Sequence, residues 1–185
     1  MPDRGDRHLT GGVRSDPSGI GTPDTSTFYS GPRDVFERHR ETLEVLTATT
    51  YLGEDPGLAA LHHQLGMGLF WTGLVGRLHA LAVARAHGIT TEEFLPRSVA
   101  TTASLEAVFR FYSPRIDEDR HTGDAERLSM AAAGVEHVVA TSKESGVDAT
   151  LPSALLEISR RGPADGQGSE SFTSLLRVLS VPVSG

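Results

Sequence analysis

The strongest pattern of apolar positions runs from Leu58 to His87, LAALHHQLGMGLFWTGLVGRLHALAVARAH. No charge falls between Leu65 and Gly76, and apolar residues occupy nearly every angular position around a helix, the pattern of a helix buried on most sides. At ~1.5 Å per residue it spans roughly 40 Å, longer than a small domain is wide, so a second chain is expected to cover much of it. We read it as the spine of an interlocked homodimer. A membrane span needs about 20 consecutive apolar residues. Arg77 ends the uncharged run early and His62, His63 and Gln64 close its other end, so a core helix is the better reading and no membrane partner is expected. Gly66, Gly68, Gly73 and Gly76 each cost about 1 kcal/mol relative to alanine in a helix. Such a concentration suits close approach by another backbone or by a ligand.

The flanking patterns are shorter. Met1 to His8 is polar and turn-rich, and is expected to be disordered. Gly11 to Val13 reads as a short strand, Thr25 to Ser30 (TSTFYS) as a second and Thr49 to Leu52 as a third. Between the last two, Pro32 opens a helix whose buried stripe is Val35, Phe36, Leu43 and Leu46. The front is thus β, β, α, β. Asp55 and Pro56 start the spine and Gly88 stops it.

Beyond the spine everything reads as helix. Thr90 and Glu93 have capping-box spacing, and Pro96 predicts a short turn followed by a separate helix to about Tyr112, ended by Ser113-Pro114. After an acidic loop from Asp117 to Asp124, a helix is expected from Ala125 to about Ser145, with Leu128, Val135, Val138 and Val139 inward and Gly146 as its stop. Another runs from about Pro152 to Arg161, broken by Gly162-Pro163. The last spans Ser171 to Leu179, with a frayed tail from Ser180 to Gly185.

Composition narrows the function classes. The 185 residues carry a formal net charge of −7 and no basic run, which argues against nucleic acid. There is no cysteine, so disulfides, thiolate catalysis and cysteine metal sites are out, and a reducing cytoplasm fits. His62, His63, His79 and His87 lack metal-ligand spacing and there is no HExxH, so no metal is expected. Ser18-Gly19-Ile20-Gly21-Thr22 is glycine-rich but is not GxGxxG, and a plain turn explains it. No GxSxG elbow occurs. His63, Met67 and Trp71 fall at i, i+4 and i+8, which sets a titratable group and two large apolar surfaces along one side of the spine, with Phe70 beside them.

Four stretches, PSGIGTPDTSTFYSGPRDVFERHR, YLGEDPGLAALHHQLGMGLFWTGL, HGITTEEFLP and GQGSESFTSLL, occur in order. Through them, from about Leu9 to Leu179, the sequence resembles the imine reductase and reductive aminase branch of the β-hydroxyacid dehydrogenase superfamily. The resemblance implies a mainly α fold: a 6-phosphogluconate dehydrogenase-like helical C-terminal domain (residues 55–185) with a long interdomain helix. Residues 9–54 would be the last β-β-α-β portion of a Rossmann domain. The cofactor of the family is NADP(H), but its glycine-rich binding turn has no counterpart in this sequence, so no cofactor-binding residue is assigned. In the family, the position two residues after the leucine of GLAAL is usually aspartate or tyrosine, assigned to proton donation or to anchoring the amine. Here it is His63, which with an unperturbed pKa near ~6.5 is able to donate a proton around neutral pH. Met67, Phe70 and Trp71 then match the substrate wall, and Ser18 and Gly19 match the superfamily's substrate loop. The expected function is the substrate-binding and dimerisation portion of an imine reductase-like NADPH-dependent oxidoreductase, inactive alone. The alternative is a non-catalytic interaction module that forms homodimers, or mixed dimers with a full-length paralogue.

Overall fold

The structure is a computed structural model that describes residues 7–14, 17–22, 25–164 and 166–180. The start expected to be disordered lies outside the described residues as far as Asp6, and the tail does so from residue 181. Arg7 is described, and its guanidinium pairs with the Asp34 carboxylate. The chain forms two compact units that divide between Leu74 and Val75.

The first unit holds strand β1 (Thr10–Val13), a 3₁₀ turn at Pro17–Gly19, strand β2 (Ser26–Ser30), helix α1 (Arg33–Glu44), strand β3 (Ala48–Gly53) and the opening turns of helix α2 (Gly57–Ala86). The sheet order is β1-β2-β3, with β1 antiparallel and β3 parallel to β2. The parallel pair needs a crossover, and α1 supplies it. Phe36 from α1 is buried against the sheet, its ring 5.9 Å from that of Tyr29 and 5.0 Å from that of Tyr51. Two details depart from expectation. Pro32 is the N-cap of α1 rather than its first helical residue. Leu46 is 51% exposed, because α1 ends at Glu44 and the chain turns through Leu43–Leu46 out of helical phase.

Helix α2 begins where Asp55 Oδ1 accepts from the Gly57 amide at 2.8 Å, and ends before Gly88, which takes φ 76°. A second anchor comes from the sheet. Ser30 Oγ donates to the Pro56 carbonyl and accepts from the Ala59 amide, each at 2.9 Å, so a strand hydroxyl satisfies one of the helix's orphan amides. Within this single chain only Ala59 and Ala84 of the helix are buried. Leu69 is 72%, Phe70 59% and Trp71 53% exposed. By length and composition alone α2 is also apolar enough to cross a membrane.

The second unit is helical: the rest of α2, α3 (Thr91–Asp117), α4 (Leu128–Glu144), α5 (Thr150–Ala164), a 3₁₀ turn at Phe172–Ser174 and α6 (Leu175–Leu179). Helix α3 is continuous through Pro96 and Pro114, correcting the expected break and the expected stop. Each proline removes one ladder amide, but each sits near an end of the helix. The Thr90/Glu93 capping box is formed in full and holds the first turn, while beyond Pro114 the Glu118 amide still bonds back to the Pro114 carbonyl. Helix α5 likewise runs through Gly162 and Pro163. Gly162 is buried where any Cβ would collide with Leu128, so packing fixes it as part of the helix. Val138, expected inward, is 48% exposed, whereas Leu128 and Val139 are buried as expected.

Leu128, Leu175 and Val178 form the core of this unit, with Ile158 and Phe172 against them. Helix α4 starts at Leu128, later than expected, because its first amides are taken by a loop: Leu128 donates to the Glu170 carbonyl at 2.7 Å and Ser129 to that of Gly168 at 3.1 Å. Buried His121 joins the same region, with Nδ1 2.8 Å from Thr173 Oγ1 and Nε2 3.1 Å from Asp119 Oδ1. The architecture is therefore mainly α, with a small sheet preceding the helices along the chain.

Candidate functional site

The end of β1 and the first half of α2 line a half-open cavity of about 760 Å³ in the first unit. Its formation depends on Gly12. A Cβ there would stand 2.9 Å from the Ala59 carbonyl oxygen and 3.1 Å from His63 Cβ, so only glycine lets β1 lie this close to α2. The close approach sets His63 beside the strand. Val13 and Arg14 then form one wall, and His62, His63, Gly66, Met67, Phe70 and Trp71 the other.

Helical spacing explains the second wall. His63, Met67 and Trp71 share one stripe, and Gly66 and Phe70 share the adjoining one. His63 and Met67 are half-buried, and the Phe70 and Trp71 rings meet edge to face at 5.1 Å. Behind them Phe28 of β2 receives the His62 ring at 5.7 Å on an edge and the Arg14 guanidinium at 4.9 Å. The result is an apolar chamber with two imidazoles and a guanidinium as its polar groups. No carboxylate lines it among the described residues.

Four of the residues singled out by sequence, His63, Met67, Phe70 and Trp71, thus meet in one cavity. Ser18 and Gly19 are not among the residues lining it. They lie in the 3₁₀ turn, where the Gly19 carbonyl accepts from the Thr22 and Thr25 hydroxyls at 2.8 and 2.9 Å. Val13, Arg14 and His62 were not anticipated. Alternation along β1 carried a signal for Arg14, since Gly12 and Arg14 share a face of the strand.

The remaining histidines do other things. His79 Nε2 lies 3.1 Å from the Asp148 carbonyl oxygen and 3.3 Å from buried Ser142 Oγ, and His87 Nε2 2.9 Å from Ser145 Oγ. Among the described residues no group of three or more His, Cys, Asp or Glu is arranged to hold a metal.

Comparison with known proteins gives a consistent answer. The sequence profile of the NADPH-dependent reductive aminase-like C-terminal domain matches residues 55–181. An imine reductase from Bacillus cereus BAG3X2 superposes with a TM-score of 0.91 at 54% identity, over 95% of this chain and 61% of that one. An imine reductase from Streptomyces aurantiacus gives 0.90 at 48% identity, over 94% and 61%. The NADPH-dependent reductive aminase of Aspergillus oryzae is 25% identical over 185 residues, 98% of this chain and 63% of that protein. The chain therefore spans less than two thirds of the length of these relatives. Together with the helical fold and its short leading sheet, these matches show that the chain belongs to the NADPH-dependent reductive aminase-like family, as a portion that includes its C-terminal domain.

Proposed function

We propose that these 185 residues form the substrate-facing and subunit-pairing part of an imine reductase and do not reduce imines by themselves. The observation that carries this reading is the placement of His63 beside Met67, Phe70 and Trp71 in one chamber. An imine needs its carbon held in an apolar, water-poor space while a proton reaches its nitrogen. His63 is the proton donor in this reading, and the aromatic pair with Met67 orients the substrate and excludes water.

The Aspergillus oryzae relative is an NADPH-dependent reductive aminase, and a reductive aminase from Aspergillus terreus is seen in complex with NADPH and ethyl levulinate. The residues present here do not fit the phosphates of a dinucleotide. The sequence holds no GxGxxG turn, and two amides of its glycine-rich loop are already bonded: Gly21 donates to the Leu46 carbonyl at 2.7 Å and Thr22 to that of Gly19 at 3.1 Å. We therefore assign the grip on NADPH to residues outside these 185. They belong either to a longer chain of which this is a piece or to a full-length paralogue in a mixed dimer. The uncovered apolar face of α2 favours the second arrangement as much as a homodimer.

Purified alone, the chain should not oxidise NADPH in the presence of a cyclic imine. Fused to the nicotinamide-binding half of a close relative it should do so, and His63→Ala in the fusion should lower kcat by about 100-fold or more. Turnover by the 185 residues alone, or an unimpaired His63→Ala fusion, would overturn the proposal.

A further inference from the structure

We propose that Arg14 makes the cavity a receptor for a carboxylate, so that its occupant is an oxo acid or the imine derived from one, rather than a neutral ketone or imine. The inference rests on reading this cavity as a substrate pocket.

The electrostatics of the chamber run against those of the chain. The protein carries a formal net charge of −7, yet among the described residues the ionisable groups lining the cavity, Arg14, His62 and His63, are neutral or cationic. Arg14 is the one with a permanent charge. None of the described carboxylates forms a salt bridge with its guanidinium, although most arginines on α1 and in the α3–α4 region have one. What holds Arg14 instead is an aromatic face: its guanidinium lies 4.9 Å from the Phe28 centroid, and its backbone amide extends the ladder to the Ser26 carbonyl at 3.0 Å. A guanidinium held over a ring by its cation–π attraction is not neutralised by it, and its N–H fork matches the two oxygens of a carboxylate. The ring contact also restricts the side chain beforehand, which lowers the entropy lost on capture.

Position then sets the spacing of the ligand. Gly12 faces His63, with no room for a Cβ between them, and Arg14 follows on the same face of the strand roughly 7 Å further along. A small molecule with its carboxylate on Arg14 and its carbonyl or imine carbon near His63 has the two groups separated by only a few bonds. A short-chain oxo acid meets that requirement, and the apolar wall of Met67, Phe70 and Trp71 takes its hydrocarbon part.

Trp71 is the only tryptophan in the chain, so its fluorescence reports on the cavity directly. Cyclohexylacetate and its uncharged isostere cyclohexylacetamide are titrated into the purified chain at fixed ionic strength. The carboxylate should bind about tenfold more tightly than the amide. Arg14→Gln should abolish the difference while amide binding persists, which also shows that the variant is folded, and Arg14→Lys should retain part of it. Equal affinity for the two ligands in the unmodified chain, or discrimination that survives Arg14→Gln, overturns the inference while leaving the pocket intact. If neither ligand perturbs Trp71, the substrate-pocket reading itself fails and the assignment of Arg14 fails with it.

Discussion

Ser30 is wholly buried and its hydroxyl is used twice, as donor to the Pro56 carbonyl and acceptor from the Ala59 amide. Replacing it with alanine leaves a buried amide without a partner, which costs about 1–3 kcal/mol. The urea midpoint of Ser30→Ala should fall accordingly, with an unchanged denaturant slope; an unaltered midpoint would show that the two bonds contribute nothing net. Gly12 is the other residue on which the site turns. In Gly12→Val the new side chain would meet the Ala59 carbonyl and His63, forcing β1 away from α2, and the Trp71 emission maximum should shift to the red as the cavity opens. At this scale the sequence was readable along α2, because helical periodicity is local: His63, Met67 and Trp71 line up by arithmetic. Alternation put Arg14 on the Gly12 face of β1, but the partners of Arg14 and Ser30 were not readable. Their partners are Phe28 on the neighbouring strand and Ala59 on the helix, and such pairings exist only once the sheet has folded.

The bounds of α2 follow directly from Asp55 and Gly88, whereas the expected break of α3 at Pro96 and the expected end of α5 at Arg161 give proline more authority than it has near a helix end. Neither Pro96 nor Pro114 falls mid-helix, and Gly162 is held by the core beneath it. The acidic stretch after α3 is expected as a loop, and part of it ties two elements together. Arg177 donates to Asp119 Oδ1 at 3.0 Å and to Glu170 Oε2 at 2.9 Å, and Asp119 accepts a further contact from buried His121. Hydrogen bonding from Arg177, then its charge, holds the Asp119 carboxyl below the ordinary aspartate value. A carboxylate whose pKa is depressed by folding stabilises fully above its unfolded value of about 3.9, and that contribution is lost as pH falls through the folded value. The clasp should thus persist at pH 5 and loosen below about pH 4. Amide exchange of residues 119–123 and 170–177, followed from pH 5 to pH 2.5, should show accelerating opening. In Asp119→Asn this acid dependence should flatten, and an identical profile in the variant would remove Asp119 from the account.

For the molecule as a whole, the decisive feature is how little of α2 its own chain covers. Leu61, Leu65, Leu69, Val75 and Leu78 are all exposed, and α3 adds Leu95, Val99, Val108 and Phe109. Scattered exposed apolar residues are ordinary, but a run this dense along one helix is what a surface awaiting a cover looks like, and we expect one in solution. The need for a cover was legible in the sequence as a mismatch between helix length and domain size. The identity of the cover was not, since a bilayer and a second chain reward the same apolar residues. Arg77, half-buried with Nε 3.3 Å from Ser98 Oγ, argues for protein, because a charge in mid-bilayer costs at least about 2.5–3.5 kcal/mol. The chain should therefore sediment as a dimer. Leu65 and Leu69 point away from the cavity lining, so the double substitution Leu65→Glu/Leu69→Glu should yield a monomer that still binds probes next to Trp71. A compact monomer at the highest attainable concentration would contradict a protein partner made of this same chain. Flotation of the unmodified chain with neutral phosphatidylcholine vesicles, abolished in the double variant, would instead identify the cover as lipid.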